Sequence, residues 1–124
     1  MMERNLLQGI DTVIVRVTDI ERSKKWYTDI LGFGITWDEP KMKLVVLNTS
    51  SNVSLTLWQT DETISINKNT ASYPIFRTPD ASALRINLEE KGVSTESIVT
   101  DDYVTYFFFY DPDGNILEAC QVHE

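Results

Sequence analysis

The chain has 124 residues, of which 42% are hydrophobic and 10% aromatic, so it can bury a sizeable core and we expect one domain spanning residues 1–124. Its formal net charge of −8 argues against nucleic acid and anionic membranes as partners, because both carry negative phosphates. No apolar run approaches the ~20 residues that a transmembrane helix needs.

The N-terminal segment, residues 1–7, has no extended apolar stretch and no small-residue cleavage site, so the sequence predicts no secretory signal peptide. The single cysteine, Cys120, excludes an internal disulfide. Both features are typical of proteins of the reducing cytoplasm, and we expect a cytoplasmic location. Cys120 itself is interpreted as a small core residue of the last strand.

The first half of the chain predicts a strand, a helix and three further strands. Valines at positions 13, 15 and 17 alternate along the first strand. Thr18 and Glu21 have the spacing of a helix capping box, and Gly32 ends the helix that follows. Three short strands are then predicted at about 33–38, 42–48 and 52–59.

The second half repeats this order after a polar connector at about 61–72. A strand at 73–78 leads through Pro79 into a helix that Gly92 ends, and strands follow at about 94–99, 103–110 and 115–122. The interval between Asp19 and Asp80 equals that between Arg16 and Arg77. The sequence therefore predicts an internal duplication, with units at about 10–60 and 73–122.

The C-terminal segment 107–118 combines four consecutive aromatics, the turn sequence Asp-Pro-Asp-Gly-Asn and a strand that carries Glu118. Together with the first strand, its helix and the Leu-Gly-Phe sequence at 31–33, this segment resembles the vicinal oxygen chelate superfamily. That family includes glyoxalase I, the bleomycin-resistance proteins and the extradiol dioxygenases. The resemblance implies an α+β fold of two tandem βαβββ units, whose mixed sheets form a half-open, barrel-like cavity.

Strand alternation assigns side chains to the two faces of each predicted sheet, one under the helix and one concave. The odd-numbered valines of the first strand suit the helix side. The concave face then receives a set of polar and aromatic residues from four strands, and these are the candidate ligand-binding residues. They are Thr12, Arg16, Ser54, Trp58, Tyr73, Arg77 and Glu118. We expect Glu118 to be partnered there by Arg16, Arg77 or Tyr73, because an unpaired buried carboxylate is costly.

Metal-dependent members of the family hold their ion with histidines and glutamates from four strands. At those positions the resemblance places Thr12, Ser54, Tyr73 and Glu118, so Glu118 alone keeps a usual ligand. Hydroxyl groups replace the other donors poorly. His123, the only histidine, has the opposite strand parity to Glu118 and is interpreted as a solvated side chain. We therefore predict no metal and no other cofactor.

Three hypotheses for function follow. The first is a metal-independent small-molecule binding protein of the bleomycin-resistance type, sequestering an aromatic compound with Trp58 as a stacking surface. The second is a metal-dependent glyoxalase-like lyase, isomerase or dioxygenase with further ligands from Asp61, Glu62 or Asp101. The third is a regulatory or accessory domain without enzymatic activity. Whether the chain is an enzyme stays open, and a glyoxalase-like lyase is the expected class if it is one.

The charge of the ligand also stays open at this point. Arg16 and Arg77 would favour an anion, or they pair with acidic groups of the protein itself, whereas the net charge of −8 would favour a cation. We expect a homodimer, because two half-open sheets leave strand edges and apolar walls exposed. The two copies would close them by side-by-side packing or by exchange of one βαβββ unit.

Overall fold

The computed structural model describes residues 6–124. In chain order the first unit contains β1 (Thr12–Val17), α1 (Ile20–Asp29), β2 (Gly34–Glu39), β3 (Leu44–Asn48) and β4 (Ser54–Gln59). The second contains β5 (Ile75–Arg77), α2 (Ala81–Glu90), β6 (Val99–Thr100), β7 (Val104–Tyr110) and β8 (Ile116–Val122). The predicted α+β architecture of two βαβββ units is thereby confirmed.

Each unit contributes one four-stranded mixed sheet, in the orders β1-β4-β3-β2 and β5-β8-β7-β6. The first strand of each unit pairs in parallel with the last, and the remaining pairs are antiparallel. The two sheets are separate and do not close into a barrel. Each of the two helices has ten residues. Within residues 6–124, no helix is long and apolar enough to cross a membrane.

Equivalent aspartates begin the two helices. Asp19 accepts a hydrogen bond from the Arg22 amide at 3.1 Å, and Asp80 accepts one from the Ala83 amide at 3.0 Å. Each satisfies an amide that a helix start leaves without an intrahelical partner. The predicted capping box of Thr18 and Glu21 was wrong by one residue, because Asp19 occupies the capping position and Thr18 bonds to the second unit instead.

One hydrophobic core lies on the helix side of both sheets. Its members alternate along the strands with residues of the other face, and Tyr27 of α1 and Leu88 of α2 cover them. The buried strand residues include Val15, Val17, Leu55 and Leu57 in the first unit and Phe107, Phe109, Leu117 and Ala119 in the second. The alternation predicted for β1 therefore matches the burial that is observed.

The sixth strand is shorter than the sequence indicated. Only Val99 and Thr100 pair regularly with β7, whereas the predicted strand covered 94–99. The preceding residues still follow β7, since the Glu96 amide donates to the Phe108 carbonyl and the Tyr110 amide donates to the Ser94 carbonyl. Their spacing departs from a regular ladder, so a continuous strand does not form.

The hairpin between β7 and β8 joins the second unit to the first. Asp111 is buried and accepts hydrogen bonds from the Tyr27 hydroxyl at 2.8 Å and from the Asn115 side chain at 2.9 Å. Asp113 accepts from the Thr18 amide and hydroxyl and from Arg22 at 2.9 Å. A turn sequence in the second unit therefore fixes the start of α1 in the first.

Candidate functional site

The face of each sheet turned away from the helices, the concave face, carries the candidate residues. Thr12, Ile14 and Arg16 of β1 lie on it beside Ser54, Thr56 and Trp58 of β4, because β1 and β4 pair in register from Thr12 and Ser54 onward. In the second unit β5 and β8 place Ile75 beside Glu118 and Arg77 beside Cys120. Ile14 and Ile75 are 51% and 57% exposed, so this face is both apolar and open.

A cavity of about 450 Å³, the inter-unit cavity, lies where the two units meet. Ile14 and Arg16 of β1 line one side, and Tyr73 and Ile116 of the second unit line another. The connector forms a further wall through residues 64, 66, 71 and 72. The size and the largely apolar lining are those of a small-molecule pocket.

A smaller cavity of about 170 Å³, the aromatic cage, adjoins the inter-unit cavity and shares Tyr73 and Ile116 with it. The rings of Phe108 and Tyr110 and the side chains of Lys68 and Glu96 complete its walls. The connector thus supplies Ile64 and Ile66 to one cavity and Lys68 to the other. Sequence reasoning missed these three residues, although two isoleucines in an otherwise polar segment were a signal.

Arg16 and Trp58 form one stacked pair on the concave face. The guanidinium carbon of Arg16 lies 4.2 Å from the centroid of the indole ring, which is cation–π geometry. The Arg16 Nε donates to the Trp58 carbonyl and its Nη2 donates to the Gln59 carbonyl, both at 3.1 Å. The guanidinium is therefore held by neutral groups, and its position is fixed beside the cavity.

Glu118 is 7% exposed and lies between Ile75 of β5 and Phe108 of β7. None of the side-chain hydrogen bonds and salt bridges within residues 6–124 involves the Glu118 carboxylate, and Arg16 bonds to the Trp58 and Gln59 carbonyls instead, so the expected partnership with Arg16, Arg77 or Tyr73 was wrong. Burial instead raises the pKa of Glu118 above its usual range. An unpartnered carboxyl group on the concave face can accept a hydrogen bond from a bound molecule, or donate one when protonated.

The other candidates are distributed more widely than the sequence indicated. Tyr73 borders both cavities and packs edge-on against Phe108, with ring centroids 5.5 Å apart. Ser54 borders a separate cavity of about 320 Å³ together with Ile75. Arg77 borders a fourth cavity, of about 350 Å³, between the end of α1 and α2. Of the candidates, the inter-unit cavity therefore brings together Arg16 and Tyr73, with Trp58 stacked on Arg16.

The residues at the family's metal positions do not fit a transition metal. Thr12 and Thr56 share a hydrogen bond of 2.8 Å between their hydroxyls, and the Ser54 hydroxyl donates to the Asp11 carbonyl at 3.3 Å. No group of three His, Cys, Asp or Glu side chains suited to a metal occurs in the described chain, so Asp61, Glu62 and Asp101 do not complete a set there. His123 contacts Thr105, with 2.7 Å between Nε2 and Oγ1.

Cys120 lies on the concave face beside Arg77, half-buried rather than in the core. Burial raises the pKa of its thiol, the Glu118 carboxylate raises it further, and Arg77 partly opposes these two effects. A thiol with a raised pKa carries little thiolate, which is the reactive form. This environment disfavours the reactive form of Cys120.

The comparisons with known proteins agree with this architecture. The sequence profile of the Glyoxalase/Bleomycin resistance protein/Dioxygenase superfamily matches residues 9–119. A crystal structure of the integron cassette protein HFX_CASS4, from the mobile metagenome of the Halifax Harbour sewage outfall, is 27% identical. The similarity covers 93% of this chain and 99% of that chain, with a TM-score of 0.78.

Two more distant structures share the fold. TnmS3, an antibiotic binding protein from Streptomyces sp. CB03234, is 23% identical over 97% of this chain and 100% of its own, with a TM-score of 0.77. The fosfomycin resistance protein FosX from Listeria monocytogenes is 12% identical over 94% of each chain, with a TM-score of 0.78. None of the curated proteins compared with the sequence matches it. With its superfamily profile matched over nearly its whole length, the chain belongs to the Glyoxalase/Bleomycin resistance protein/Dioxygenase superfamily.

Proposed function

We propose that this protein binds and sequesters an aromatic small molecule without the help of a metal and without transforming it. The observation that carries the proposal is the inter-unit cavity of about 450 Å³, whose lining combines Ile14, Ile64, Tyr73 and Ile116 with the single guanidinium of Arg16. Binding sites for small molecules are mostly apolar and carry few polar groups, and these fix the orientation of the ligand.

The polar groups at this face fit binding better than catalysis. Arg16 lines the cavity and stacks on Trp58, which holds its guanidinium in place there. No titratable side chain within residues 6–124 is hydrogen-bonded to Glu118, so none orients it there as a general acid or base. The hydroxyls of Thr12 and Thr56 are bonded to each other rather than directed to a ligand.

The fold neighbour TnmS3 is described as an antibiotic binding protein, and FosX as a fosfomycin resistance protein. We extend the first of these roles, the binding of a small molecule, to the present chain. A regulatory or accessory domain is the remaining alternative, and it would not require the cavity to be occupied.

We also propose that the protein acts as a homodimer in the cytoplasm. The exposed isoleucines of the concave face, Ile14 and Ile75, are accompanied by the exposed rings of Trp37 and Trp58. Large apolar side chains exposed on one face are typical of an interface between protein chains. A second copy would cover it and would form the outer wall of the cavity.

Tryptophan fluorescence tests the proposed binding. We expect saturable quenching by aromatic compounds from a panel of cationic, neutral and anionic members, because Trp58 lies beside the cavity. The quenching should be lost in Trp58→Phe and kept in Trp26→Phe, since Trp26 packs against the core. Steady turnover of any panel member, or no quenching by any class, would refute the proposal.

A further inference from the structure

The aromatic cage contains a positive charge supplied by the chain itself. The ammonium nitrogen of Lys68 lies 4.7 Å from the centroid of the Tyr110 ring, over its face. The face of an aromatic ring is the negative end of its quadrupole and attracts cations at this distance. Lys68 belongs to the connector between the two units, whereas Tyr110 ends β7 of the second unit.

A carboxylate completes the arrangement beside the ring. The Tyr110 hydroxyl donates a hydrogen bond to Glu96 Oε2, which keeps the carboxylate next to the ring. Lys68 Nζ lies 3.9 Å from the same oxygen, at the outer limit of an ion pair. Tyr73 and Phe108 form the adjacent walls and hold each other edge to face. Three rings and one carboxylate therefore surround a space of about 170 Å³.

Lys68 is held there weakly. Its side chain is about two-thirds exposed, and an ion pair so accessible to water contributes little to stability. A primary ammonium is also strongly hydrated and loses that hydration when it approaches a ring. A quaternary ammonium has a more diffuse charge and apolar methyl groups, so it suits the rings better. The Lys68 ammonium can therefore be displaced by such a group.

We propose that the aromatic cage binds an alkylated ammonium group of the ligand, and that Lys68 occupies the cage until the ligand displaces it. This inference rests on the proposed binding function and names its ligand class: an aromatic molecule that carries an organic cation. The aromatic part would lie in the inter-unit cavity, which shares Tyr73 and Ile116 with the cage. The net charge of −8 would raise the local concentration of such a cation.

A pair of molecules with the same shape and different charge tests the inference. (4-Hydroxyphenyl)trimethylammonium and 4-tert-butylphenol differ only in the atom that carries the three methyl groups. We expect the cation to bind about tenfold more tightly in calorimetric titrations, the ratio that ~1.4 kcal/mol of cation–π attraction gives at 25 °C. Equal affinities would contradict the ammonium site in the aromatic cage and leave the proposed binding function intact. If neither compound bound, both the ammonium site and the proposed binding function would be contradicted.

Variants separate the contribution of each cage residue. Lys68→Ala should strengthen binding of the cation several-fold and leave the neutral phenol unchanged, because the internal competitor is gone. Lys25→Ala, which removes the same charge from the exposed side of α1, should change neither affinity. Tyr110→Leu should abolish the preference for the cation, and Tyr110→Phe, which keeps the ring and the fold, should retain most of it. Weaker cation binding by Lys68→Ala would overturn the inference.

Discussion

The hydroxyl of Tyr27 in the first unit donates a hydrogen bond of 2.8 Å to the buried carboxylate of Asp111 in the second. Both groups are out of water: Tyr27 is fully buried, and burial raises the pKa of Asp111 while its hydrogen bonds oppose that rise. The pKa of Tyr27 is raised well above its usual value, first by burial and then by the Asp111 charge. The Asp111 side chain also accepts hydrogen bonds from the amides of Asp113 and Asn115, so the geometry is that of a tyrosine donor and a carboxylate acceptor.

Removing this donor should weaken the whole fold. We expect Tyr27→Phe to lower the free energy of unfolding by about 1–3 kcal/mol, because a buried carboxylate loses one of its hydrogen bonds. Urea denaturation followed by circular dichroism measures the change. Tyr103→Phe, at a ring that is mostly exposed, is the matched control and should have almost no effect. Equal stability of the two variants would contradict the assigned role of the pair.

Glu118 should limit stability at neutral pH. Burial raises the pKa of Glu118 in the folded state. Between the usual pKa and this raised pKa, the unfolded chain has lost a proton that the folded chain keeps. The free energy of unfolding therefore falls as the pH rises through this window. We expect Glu118→Gln to be more stable at pH 7, by about 0.5–2 kcal/mol as is common when an unfavourable buried group is relieved.

The pH dependence of that difference provides the check. Below the usual pKa of a glutamate, Glu118 is protonated in both the folded and the unfolded chain. The free energies of unfolding of wild type and Glu118→Gln should therefore converge there. Urea midpoints measured from pH 3.5 to pH 7.5 give the curve. Glu62→Gln, at an exposed position of the connector, should run parallel to the wild type throughout. A gap between Glu118→Gln and wild type that is as large at pH 3.5 as at pH 7.5 would show that burial of the charge is not its cause.

The apolar concave face should hold two copies together. We expect multi-angle light scattering at micromolar concentration to give twice the 14.2 kDa of one chain. Ile75→Asp, which puts a charge on that face, should give the single-chain mass. Ile86→Asp changes an equally exposed isoleucine on α2 and should remain dimeric. A wild-type particle of 14 kDa would count against the dimer.

Protein purified without chelators should carry well under one equivalent of zinc, nickel, iron or manganese. The reason is that Thr12, Ser54 and Tyr73 stand where metal-dependent relatives place donor side chains, and the first two bond to the protein itself. Elemental analysis by mass spectrometry measures the content, before and after dialysis against added metal. One equivalent retained through dialysis, and lost in Glu118→Ala, would instead indicate a metal centre.

Much of the fold could be predicted because its signals are local. The interval between Asp19 and Asp80 equals that between Arg16 and Arg77, and this equality predicted the duplication. The structure explains it, since both aspartates cap equivalent helices. The positive φ angles of Gly32 and Gly92, 78° and 82°, likewise place these residues at equivalent helix ends. Alternation along β1 gave the correct face for its valines. The helix caps, the glycines that end the helices and the strand alternation each depend on residues a few positions apart, and the duplication repeats them.

The parts that could not be predicted depend on contacts between distant segments. Asp111 and Asp113 were interpreted as turn residues only, yet their side chains bind Tyr27 and Thr18 in the other unit. The connector carried no regular pattern, so nothing indicated that Lys68 would reach Tyr110. The expected partner of Glu118 failed for the same reason: parity places a side chain on a face, but it does not give the distance to a neighbour on that face.

The hairpin at 111–115 has a consequence for how the chain acquires its structure during synthesis. The first unit is made long before the residues that accept hydrogen bonds from Thr18 and Tyr27, so those donors must bond to water until the second unit arrives. The amide of Thr18 and the hydroxyl of Tyr27 then dock onto a turn that is synthesised 95 and 84 residues after them. The two halves consequently gain their full stability together, and we expect a nascent chain that ends before residue 111 to be more open to chaperones and proteases than the complete pair of units.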